Sequence, residues 1–344
     1  MYKIFVRPFL FLFSPETIHA CLVSVVKCFY KLFIFRFLLK KIYTVDSPLL
    51  HRKFLGLDFK NPVGLAAGFD KNASFYREFS DFGFGHIEIG TVTPQPQDGN
   101  QKPRSFRLVK DKALINRMGI NNIGVDNIVK MLKNRPENII IGGNIGKNTL
   151  TPNIKAWEDF SYCFEKLYEY VDYFVVNISC PNIGDISKLQ DQDTLEDILY
   201  KLCEIRALKI QKKPILLKVS PDLNFKQIDE TIDIIQKIGI DGIVATNTTI
   251  LRNGLNTEES RIKEIGRGGL SGAPLRQRST EIIRYIKQKT DGKMPVIGVG
   301  GIMSIQDAFE KIEAGADIIQ VYTGFIYEGP GFVKKINNAI LKKN

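Results

Sequence analysis

The stretch Tyr173-Phe174-Val175-Val176-Asn177-Ile178-Ser179-Cys180-Pro181-Asn182 passes from an apolar segment directly into a polar turn. Aromatic and β-branched residues favour a buried strand through Ile178, and Pro181 cannot continue it because proline has no backbone N–H to donate. The turn sets one thiol, Cys180, between two carboxamides. A buried strand that ends in polar side chains is the unit from which the rest of the chain is built.

The same unit recurs from about residue 54 onward. Eight short apolar segments, each followed by a polar or glycine-containing turn and a helical segment, predict strands at residues 63–67, 86–92, 139–145, 173–178, 215–219, 242–246, 296–299 and 318–322. Strands alternating with helices predict an α/β fold, a (β/α)8 TIM barrel rather than an open sheet. Residues 94–120 are too long and too rich in turn residues for a plain loop, and we expect this excursion to cross the top of the barrel. We divide the chain into an N-terminal amphipathic helical extension, 1–45, and a catalytic barrel, 46–344.

Composition limits the function classes. The chain has 344 residues, 44% hydrophobic and 25% charged, which is typical of a globular protein with one large domain. The net charge of +11 comes from lysines scattered along the chain, so we expect no nucleic acid partner, but anionic ligands and lipid headgroups instead. Five widely spaced cysteines without a CxxC pair suggest neither disulfides nor a zinc site, and three histidines suggest neither a bound metal nor a His-based triad.

The first 41 residues, called the leader below, are rich in large apolar residues interrupted by charges. Ser14-Pro15-Glu16 predicts a helix start with a capping serine, a first-turn proline and an acid at the positive helix end. The longest uncharged run, residues 17–26, is far shorter than a membrane-spanning helix requires. We predict an amphipathic helical pair lying in the membrane interface; the alternative is a helix packed on the bottom of the barrel. Glu16 and His19 interrupt the apolar run, which disfavours a secretory signal.

Active sites of such barrels lie at the carboxyl ends of the strands. The residues at those positions are glycines, amides, hydroxyls and two lysines, which favours binding of an anion and a flat, amide-bearing heterocycle over metal coordination or glycoside hydrolysis. The last two predicted strands run into glycine turns, at Gly300-Gly301 and at Tyr322-Thr323-Gly324. Because loops after these strands commonly bind phosphate, we predict a phosphate site there; the alternative is that the glycines only form turns.

Several motifs follow one another along the chain. They are Gly64-Leu65-Ala66-Ala67-Gly68-Phe69-Asp70-Lys71, Glu88-Ile89-Gly90-Thr91-Val92-Thr93-Pro94, Ile115-Asn116-Arg117-Met118-Gly119, Asn144-Ile145-Gly146-Lys147-Asn148, the opening stretch, Ala245-Thr246-Asn247-Thr248-Thr249 and Gly268-Gly269-Leu270-Ser271-Gly272. With the two glycine turns, they resemble the dihydroorotate dehydrogenase family, FMN enzymes of de novo pyrimidine (UMP) biosynthesis. The leader resembles that of the class 2 branch, which is membrane-associated and reduces quinone.

The resemblance implies (S)-dihydroorotate as substrate, orotate as product and FMN as cofactor across the barrel mouth. The implied cofactor-binding residues are Ala67, Gly68, Phe69, Asp70, Lys71, Thr91, Asn144, Asn177, Lys218, Thr246, Gly272, Gly301, Tyr322 and Thr323. The implied substrate-binding residues are Lys71, Asn116, Arg117, Met118, Gly119, Ile120, Asn177, Asn182, Asn247 and Thr248. A carboxamide both donates and accepts hydrogen bonds, which suits an imide ring.

The resemblance also implies the chemistry. Cys180 stands at the position of the general base that takes the C5 proton, while hydride passes from C6 to flavin N5. Class 2 enzymes typically carry serine there, whereas cysteine resembles the soluble class 1 enzymes. Ile183 and Ile120 likewise replace the threonine and phenylalanine usual near the class 2 proton exit. Because thiols titrate near pH 8.5, far below alcohols, a cysteine base needs less help from a hydroxyl relay.

The leader implies a membrane quinone as the electron acceptor. Its implied lining is Leu10, His19, Arg107 and Tyr322. We expect a peripheral membrane protein on the bilayer surface, at the cytoplasmic face of the cell membrane. Two alternatives stay open: a class 1-like enzyme that uses a soluble acceptor such as fumarate, and a non-catalytic phosphate-binding barrel at the membrane surface.

Overall fold

The computed structural model describes residues 2–178 and 192–343, and its N-terminal part is helical. A π-helical turn over Tyr2–Val6 leads into α1 (Arg7–Phe11), α2 (Pro15–Tyr30) and α3 (Phe33–Tyr43). The hydroxyl of Ser14 accepts a hydrogen bond from the backbone N–H of Thr17, and Pro15 occupies the first turn of α2. The predicted start of this helix is confirmed.

Parallel strands form a barrel at the centre of the molecule, and further strands form two small antiparallel sheets. The strands are β1 (Arg52–Phe54), β2 (Leu57–Phe59), β3 (Val63–Asp70), β4 (His86–Val92), β5 (Ser105–Leu108), β6 (Ala113–Asn116), β7 (Ile140–Ile145), β8 (Tyr173–Asn177), β9 (Ile215–Val219), β10 (Gly242–Ala245), β11 (Gly269–Gly272), β12 (Val296–Val299) and β13 (Ile318–Val321). A closed barrel runs in the order β3-β4-β7-β8-β9-β10-β12-β13, and β13 pairs back to β3. The predicted TIM barrel is confirmed, strand by strand.

Helices surround this barrel. They are α4 (Tyr76–Asp81), α5 (Val125–Leu132), α6 (Ala156–Leu167), α7 (Gln192–Ala207), α8 (Phe225–Ile238), α9 (Glu259–Ile265), α10 (Arg276–Lys289), α11 (Ile305–Glu313), α12 (Thr323–Glu328) and α13 (Phe332–Lys343). Helix α8 shows why they form: Ile228, Ile232 and Ile235 recur at helical spacing and are buried. Asn224 and Gln227 form a capping box at its start, and Gly239 ends it with a left-handed conformation.

One end of the barrel is closed by an apolar plug. The antiparallel hairpin β1–β2 contributes Phe54 and Phe59, which pack with Val175, Leu216 and other inward-facing strand residues. The Phe59 ring lies 5.2 Å from the ring of His86, the first residue of β4. The hairpin therefore covers the amino-terminal end of the strands and leaves their carboxyl end for a binding site.

The excursion over residues 94–120 forms a small sheet of its own. Strands β5 and β6 are antiparallel, and β6 also pairs with β11, so that Asn116 lies opposite Gly269 and Ala113 opposite Gly272. Because β6 and β11 are distant in sequence, residues of the excursion are brought beside the turn after β11. The excursion thus becomes a wall of the barrel mouth, as its length predicted.

The leader packs beside the carboxyl end of β3, not at the bottom of the barrel. The ring of His19 in α2 lies 5.0 Å from that of Phe69, near the end of β3. Glu16 accepts hydrogen bonds from Arg104 in the excursion, the shortest at 2.7 Å, and Arg104 holds the pKa of the Glu16 carboxyl below its usual value. No single helix of residues 2–178 and 192–343 meets the length and hydropathy expected of a membrane span, although the bent pair Tyr2–Phe11 and Pro15–Tyr30 together does.

Candidate active site

A cavity, called the mouth cavity below, lies at the carboxyl ends of the barrel strands, where the strands run into polar turns. It is lined by residues from opposite sides of the barrel and from the excursion sheet. Among the predicted site residues it brings together Ala67, Gly68, Lys71, Thr91, Asn116, Met118, Ile120, Asn177, Lys218, Thr246, Asn247, Thr248, Gly272, Gly301, Tyr322 and Thr323. Residues far apart in sequence therefore share one pocket, in which amide, hydroxyl and ammonium groups converge.

Hydrogen-bonded side chains cross the floor of this cavity. The Thr91 hydroxyl donates to Asn144 Oδ1 at 2.5 Å and accepts from Asn177 Nδ2 at 2.9 Å. Asn247 Nδ2 in turn donates to Asn177 Oδ1 at 3.2 Å. Because three of these residues come from the ends of β4, β7 and β8, the barrel geometry itself aligns the chain. The amides are held in one orientation rather than free to rotate.

Two glycines allow the backbone to form the turns after the last strands. Gly301 has φ +71°, and a Cβ placed there would lie 2.3 Å from Cα of Arg276. Gly272 has φ +101°, and its Cβ would lie 2.3 Å from the Lys112 carbonyl oxygen. Only glycine fits either position, for reasons of both conformation and space. The bare backbone at these turns can approach a phosphate closely.

A second cavity of about 490 Å³, called the leader cavity below, lies between the leader and the barrel. Leu10, His19 and Arg107 line it together. Arg107 Nη1 donates to the Phe13 carbonyl at 2.6 Å, its guanidinium lies 4.5 Å from the Phe11 ring centroid, and burial lowers its pKa. Its buried Nε finds no acceptor among the described residues. This nitrogen is a donor that a carbonyl oxygen of a ligand would satisfy.

Aromatic rings connect the two cavities. Phe69 contacts His19 on one side and Tyr322 on the other, each with ring centroids 5.0 Å apart. A space of about 370 Å³ lined by both His19 and Tyr322 also reaches Gly68 and Lys71 of the mouth cavity. Burial, and to a lesser extent the charge of Lys71, lowers the pKa of His19 to about 4, while burial raises that of Tyr322 to about 12. Both side chains are therefore neutral at pH 7.

Comparison with known proteins identifies this architecture. Residues 49–343, most of the chain, match the family model described as "Dihydroorotate dehydrogenase". The chain belongs to the dihydroorotate dehydrogenase family. A relative from Christiangramia forsetii, named dihydroorotate dehydrogenase (quinone), is 52% identical over 343 residues, covering 100% of this chain and 99% of the relative. A relative of the same name from Thermosynechococcus vestitus is 46% identical over 310 residues, covering 88% and 84%.

Solved structures of the family show the same fold. A dihydroorotate dehydrogenase from Eimeria tenella in complex with ferulenol superposes with a TM-score of 0.83 at 34% identity, covering 96% of this chain and 91% of that one. The ligand-free enzyme from the same organism gives a TM-score of 0.81 at 35% identity, covering 89% and 92%. The first match includes most of the leader, so the likeness extends beyond the barrel. As members of this family, the chain and its relatives are flavin-dependent oxidoreductases.

Of the predicted cofactor- and substrate-binding residues that the structure describes, five do not line the mouth cavity: Phe69, Asp70, Asn144, Arg117 and Gly119. Phe69 is part of the aromatic connection to the leader. Asp70 is buried and accepts hydrogen bonds from the backbone N–H groups of Ser74 and Phe75, both at 2.8 Å; burial raises its pKa to about 6. Asn144 lies one hydrogen bond below the cavity. These three support the site from behind its wall.

The other two residues shape the excursion. Arg117 donates to the carbonyls of Pro103 and Ile265, which ties the excursion to the end of α9. Gly119 has φ +74°, and a Cβ there would lie 2.8 Å from the backbone nitrogen of Asn100. Cys180 and Asn182, predicted as base and substrate ligand, lie outside the described residues, as does Ile183. Their assignments stay predictions.

The sequence reading missed two polar residues inside the barrel. Glu88 in β4 and Gln320 in β13 are both fully buried, and Gln320 Nε2 donates to Glu88 Oε2 at 2.7 Å. Glu88 Oε1 accepts from Asn144 Nδ2 at 2.7 Å and lies 3.6 Å from Lys218 Nζ. The sequence contains an indication of both, because each is a polar residue within an otherwise apolar strand, and such a side chain needs a buried partner.

Proposed function

We propose that this chain oxidises (S)-dihydroorotate to orotate in pyrimidine biosynthesis, with bound FMN as the redox cofactor and a membrane quinone as the final electron acceptor. The observation that carries the proposal is the link between the two cavities. Most of the predicted cofactor and substrate residues line the mouth cavity, and the contact between Phe69 of the leader cavity and Tyr322 of the mouth cavity joins the two. The names of the relatives support the same activity and acceptor.

Several features of the mouth cavity support FMN as the bound flavin. At Gly272 and Gly301 the backbone packs so closely on Lys112 and Arg276 that only glycine allows these turns to form, and Thr323 adds a hydroxyl 2.8 Å from that of Ser271. These groups would hold the phosphate, and Lys218 adds a positive charge to the same cavity lining. FMN held there would supply the acceptor for the hydride from the substrate. A cation placed there stabilises negative charge that develops during reduction.

The excursion and the strand ends hold the substrate in this proposal. Asn116, Asn177 and Asn247 offer amide donors and acceptors to the imide edge of dihydroorotate, and Lys71 supplies positive charge for the carboxylate. Lys71 Nζ also donates to Asn121 Oδ1 at 3.0 Å, which orients its long side chain. Cys180 takes the proton from C5 onto its sulfur as hydride leaves C6, so that a C5–C6 double bond forms. Asn182 completes the ring of amides.

The leader cavity is the proposed quinone site. Its lining is almost entirely apolar apart from His19, Arg107 and a few polar groups, which suits a ring with an isoprenoid tail. The unpaired Nε of Arg107, judged over the described residues, would donate to a quinone carbonyl. Leu10 of α1 lines the leader cavity, and Tyr322 lines the space that joins this cavity to the mouth cavity.

The outer surface of the leader supports docking on a lipid bilayer. Large apolar side chains there are 51–78% exposed, namely Phe5, Phe9, Leu12, Phe33, Ile34 and Phe37. The last turn of α3 adds Lys40 and Lys41 beside them. An exposed apolar patch bordered by cations fits insertion into an anionic membrane surface. We propose a peripheral position on the cytoplasmic face of the cell membrane.

An acceptor assay tests the function directly. Purified protein with dihydroorotate should be reoxidised rapidly by a short-chain ubiquinone and only at background rate by fumarate. Cys180 and Ile183 resemble the class 1 enzymes, which makes fumarate the meaningful competitor. Rapid turnover with fumarate and none with quinone would assign the chain to a soluble acceptor, and a protein that neither binds FMN nor reacts with dihydroorotate would be a non-catalytic barrel.

Replacing Gly301 by alanine should abolish FMN binding. The new Cβ would meet the Arg276 backbone at 2.3–2.4 Å, which forces the phosphate turn away from the start of α10. We expect protein that purifies colourless, with FMN affinity in reconstitution titrations reduced at least about 100-fold. Gly254→Ala is the matched control, because Gly254 also has a positive φ, +73°, but no atom within 4 Å of the added Cβ. Equal FMN content in the two variants would contradict the phosphate assignment.

A further inference from the structure

Glu88 is a buried carboxylate to which the proposed reaction gives no part. It lies one side chain below the mouth cavity, in the middle of β4. Both of its oxygens are engaged: Oε2 by the amide of Gln320, and Oε1 by the amide of Asn144 and the nearby ammonium of Lys218. Burying a carboxylate costs free energy unless its charge is compensated, so the contacts of Glu88 bear on its role.

The carboxylate of Glu88 determines the orientation of the Asn144 side-chain amide. A carboxylate only accepts hydrogen bonds, whereas a carboxamide donates from one end and accepts at the other. Since Glu88 stands on one side of Asn144, the NH2 group must face Glu88. The carbonyl oxygen of Asn144 is thereby directed at Thr91, whose hydroxyl donates to it at 2.5 Å.

Thr91 carries this order of donors and acceptors from Asn144 to Asn177. Its single hydroxyl proton is used toward Asn144, so on its other side it can only accept. It accepts from Asn177 Nδ2 at 2.9 Å, which leaves Asn177 Oδ1 pointing toward Asn247. Asn247 presents its NH2 there, and its own Oδ1 accepts from the backbone N–H of Thr248 at 2.9 Å.

We propose that Glu88 is a positioning residue for substrate recognition: through the chain Asn144, Thr91, Asn177 and Asn247 it sets which amide atoms face the ligand in the mouth cavity. The inference rests on the proposed function, since Asn177 and Asn247 are taken to bind orotate. An imide ring has a fixed order of donors and acceptors, and two amides in fixed orientation match one order only. Glu88 therefore contributes to specificity without touching the substrate.

Removing the charge should disturb this order. In Glu88→Gln, the oxygen that the Asn144 amide and the Lys218 ammonium share loses its negative charge, and the new NH2 group cannot accept a hydrogen bond from Asn144 or Gln320. We expect the variant to keep its flavin and to bind orotate at least about tenfold more weakly, as the loss of one well-formed hydrogen bond predicts. Orotate affinity is read from the change in flavin absorbance during titration of the full-length protein.

Exchanging the carboxylate between positions 88 and 144 distinguishes an effect of hydrogen-bond orientation from an effect of side-chain size. Asn144→Asp combined with Glu88→Gln moves the carboxylate one link along the chain, where it again accepts from Thr91, while every side chain keeps its size. The double variant should recover orotate affinity to within about threefold of the parent, and Asn144→Asp alone, with two adjacent carboxylates, should not. Parental affinity in Glu88→Gln, or no recovery in the double variant, would overturn the proposal.

Two further variants cover a Glu88→Gln protein that does not fold. Thr91→Val removes only the hydroxyl that passes the direction on, and should weaken orotate binding by about the same tenfold, whereas Thr91→Ser should not. Parental orotate affinity in Thr91→Val would also overturn the proposal. Asp111→Asn is the control for neutralising a buried acid, because Asp111 accepts hydrogen bonds from Asn256 and Thr257, which are not members of the series Asn144, Thr91, Asn177 and Asn247. If the parent protein itself fails to bind orotate, the proposed function fails; if parent and variants bind it equally, only the role of Glu88 fails.

Discussion

Replacing Cys180 by alanine is expected to leave FMN bound but to slow its reduction by dihydroorotate at least about 100-fold, because a positioned general base commonly contributes that much. Strand β8 delivers the backbone to the mouth cavity at Asn177, whose side chain lines it. Cys180 follows Asn177 by three residues in the sequence. The measurement is anaerobic stopped-flow bleaching of the flavin after mixing with dihydroorotate.

Other cysteines supply the control for this variant. Cys203 lies half-buried in α7 and receives a hydrogen bond from Arg206, so Cys203→Ala should reduce its flavin at the parental rate. Cys180→Ser should be slow at neutral pH and gain rate as the pH rises, since an alcohol has a much higher pKa than a thiol. A near-normal rate in Cys180→Ala would remove this residue from the role of base.

Deleting residues 1–41 is expected to abolish quinone turnover while flavin reduction by dihydroorotate stays unchanged. The deletion removes Leu10 and His19 from the leader cavity and leaves Phe69 and Tyr322 open to solvent, so the acceptor loses its binding site. We expect quinone-dependent turnover to fall at least about 100-fold, because the acceptor is no longer held beside the flavin. Binding to anionic vesicles, measured by flotation, should be lost with it.

A point substitution tests the same idea with the leader in place. Val23 lines both the leader cavity and the space that joins it to the mouth cavity, so Val23→Trp should obstruct the path and slow quinone reduction alone. Val25 lies on the outer side of the same helix and is 46% exposed, and Val25→Trp should behave as the parent in a detergent assay. Undiminished quinone turnover in both the deletion and Val23→Trp would refute the leader cavity as the acceptor site.

Much of the fold follows from local pattern. An apolar run such as Ile215–Val219 that ends at a proline or glycine turn is a strand for reasons contained within a few residues, and alternation with helices then leaves little choice of architecture. The same holds for the cap at Ser14. The residues that line the mouth cavity could be predicted as those at the carboxyl end of each strand, since closure of the barrel brings all of these ends together.

What could not be predicted depends on contacts between distant residues. The pairing of β6 with β11 places Asn116 opposite Gly269, and no local sequence pattern predicts this pairing. The position of the leader is decided by packing of His19 on Phe69 and by the ion pair between Glu16 and Arg104. Glu88 and Gln320 are partners across the barrel interior, visible only once the strands are closed. Which residue a buried polar group meets is a property of the tertiary structure.

The ion pair between Glu16 and Arg104 also bears on how separable the leader is. Arg104 is almost fully buried, with only 8% of its side chain exposed, and its other hydrogen bonds hold the Asp98 and Asn100 carbonyls of the excursion. A leader transplanted from a protein without an acid at this position would leave that guanidinium without its carboxylate. The leader and the excursion are therefore not interchangeable modules: in a chimaera, they have to be exchanged together.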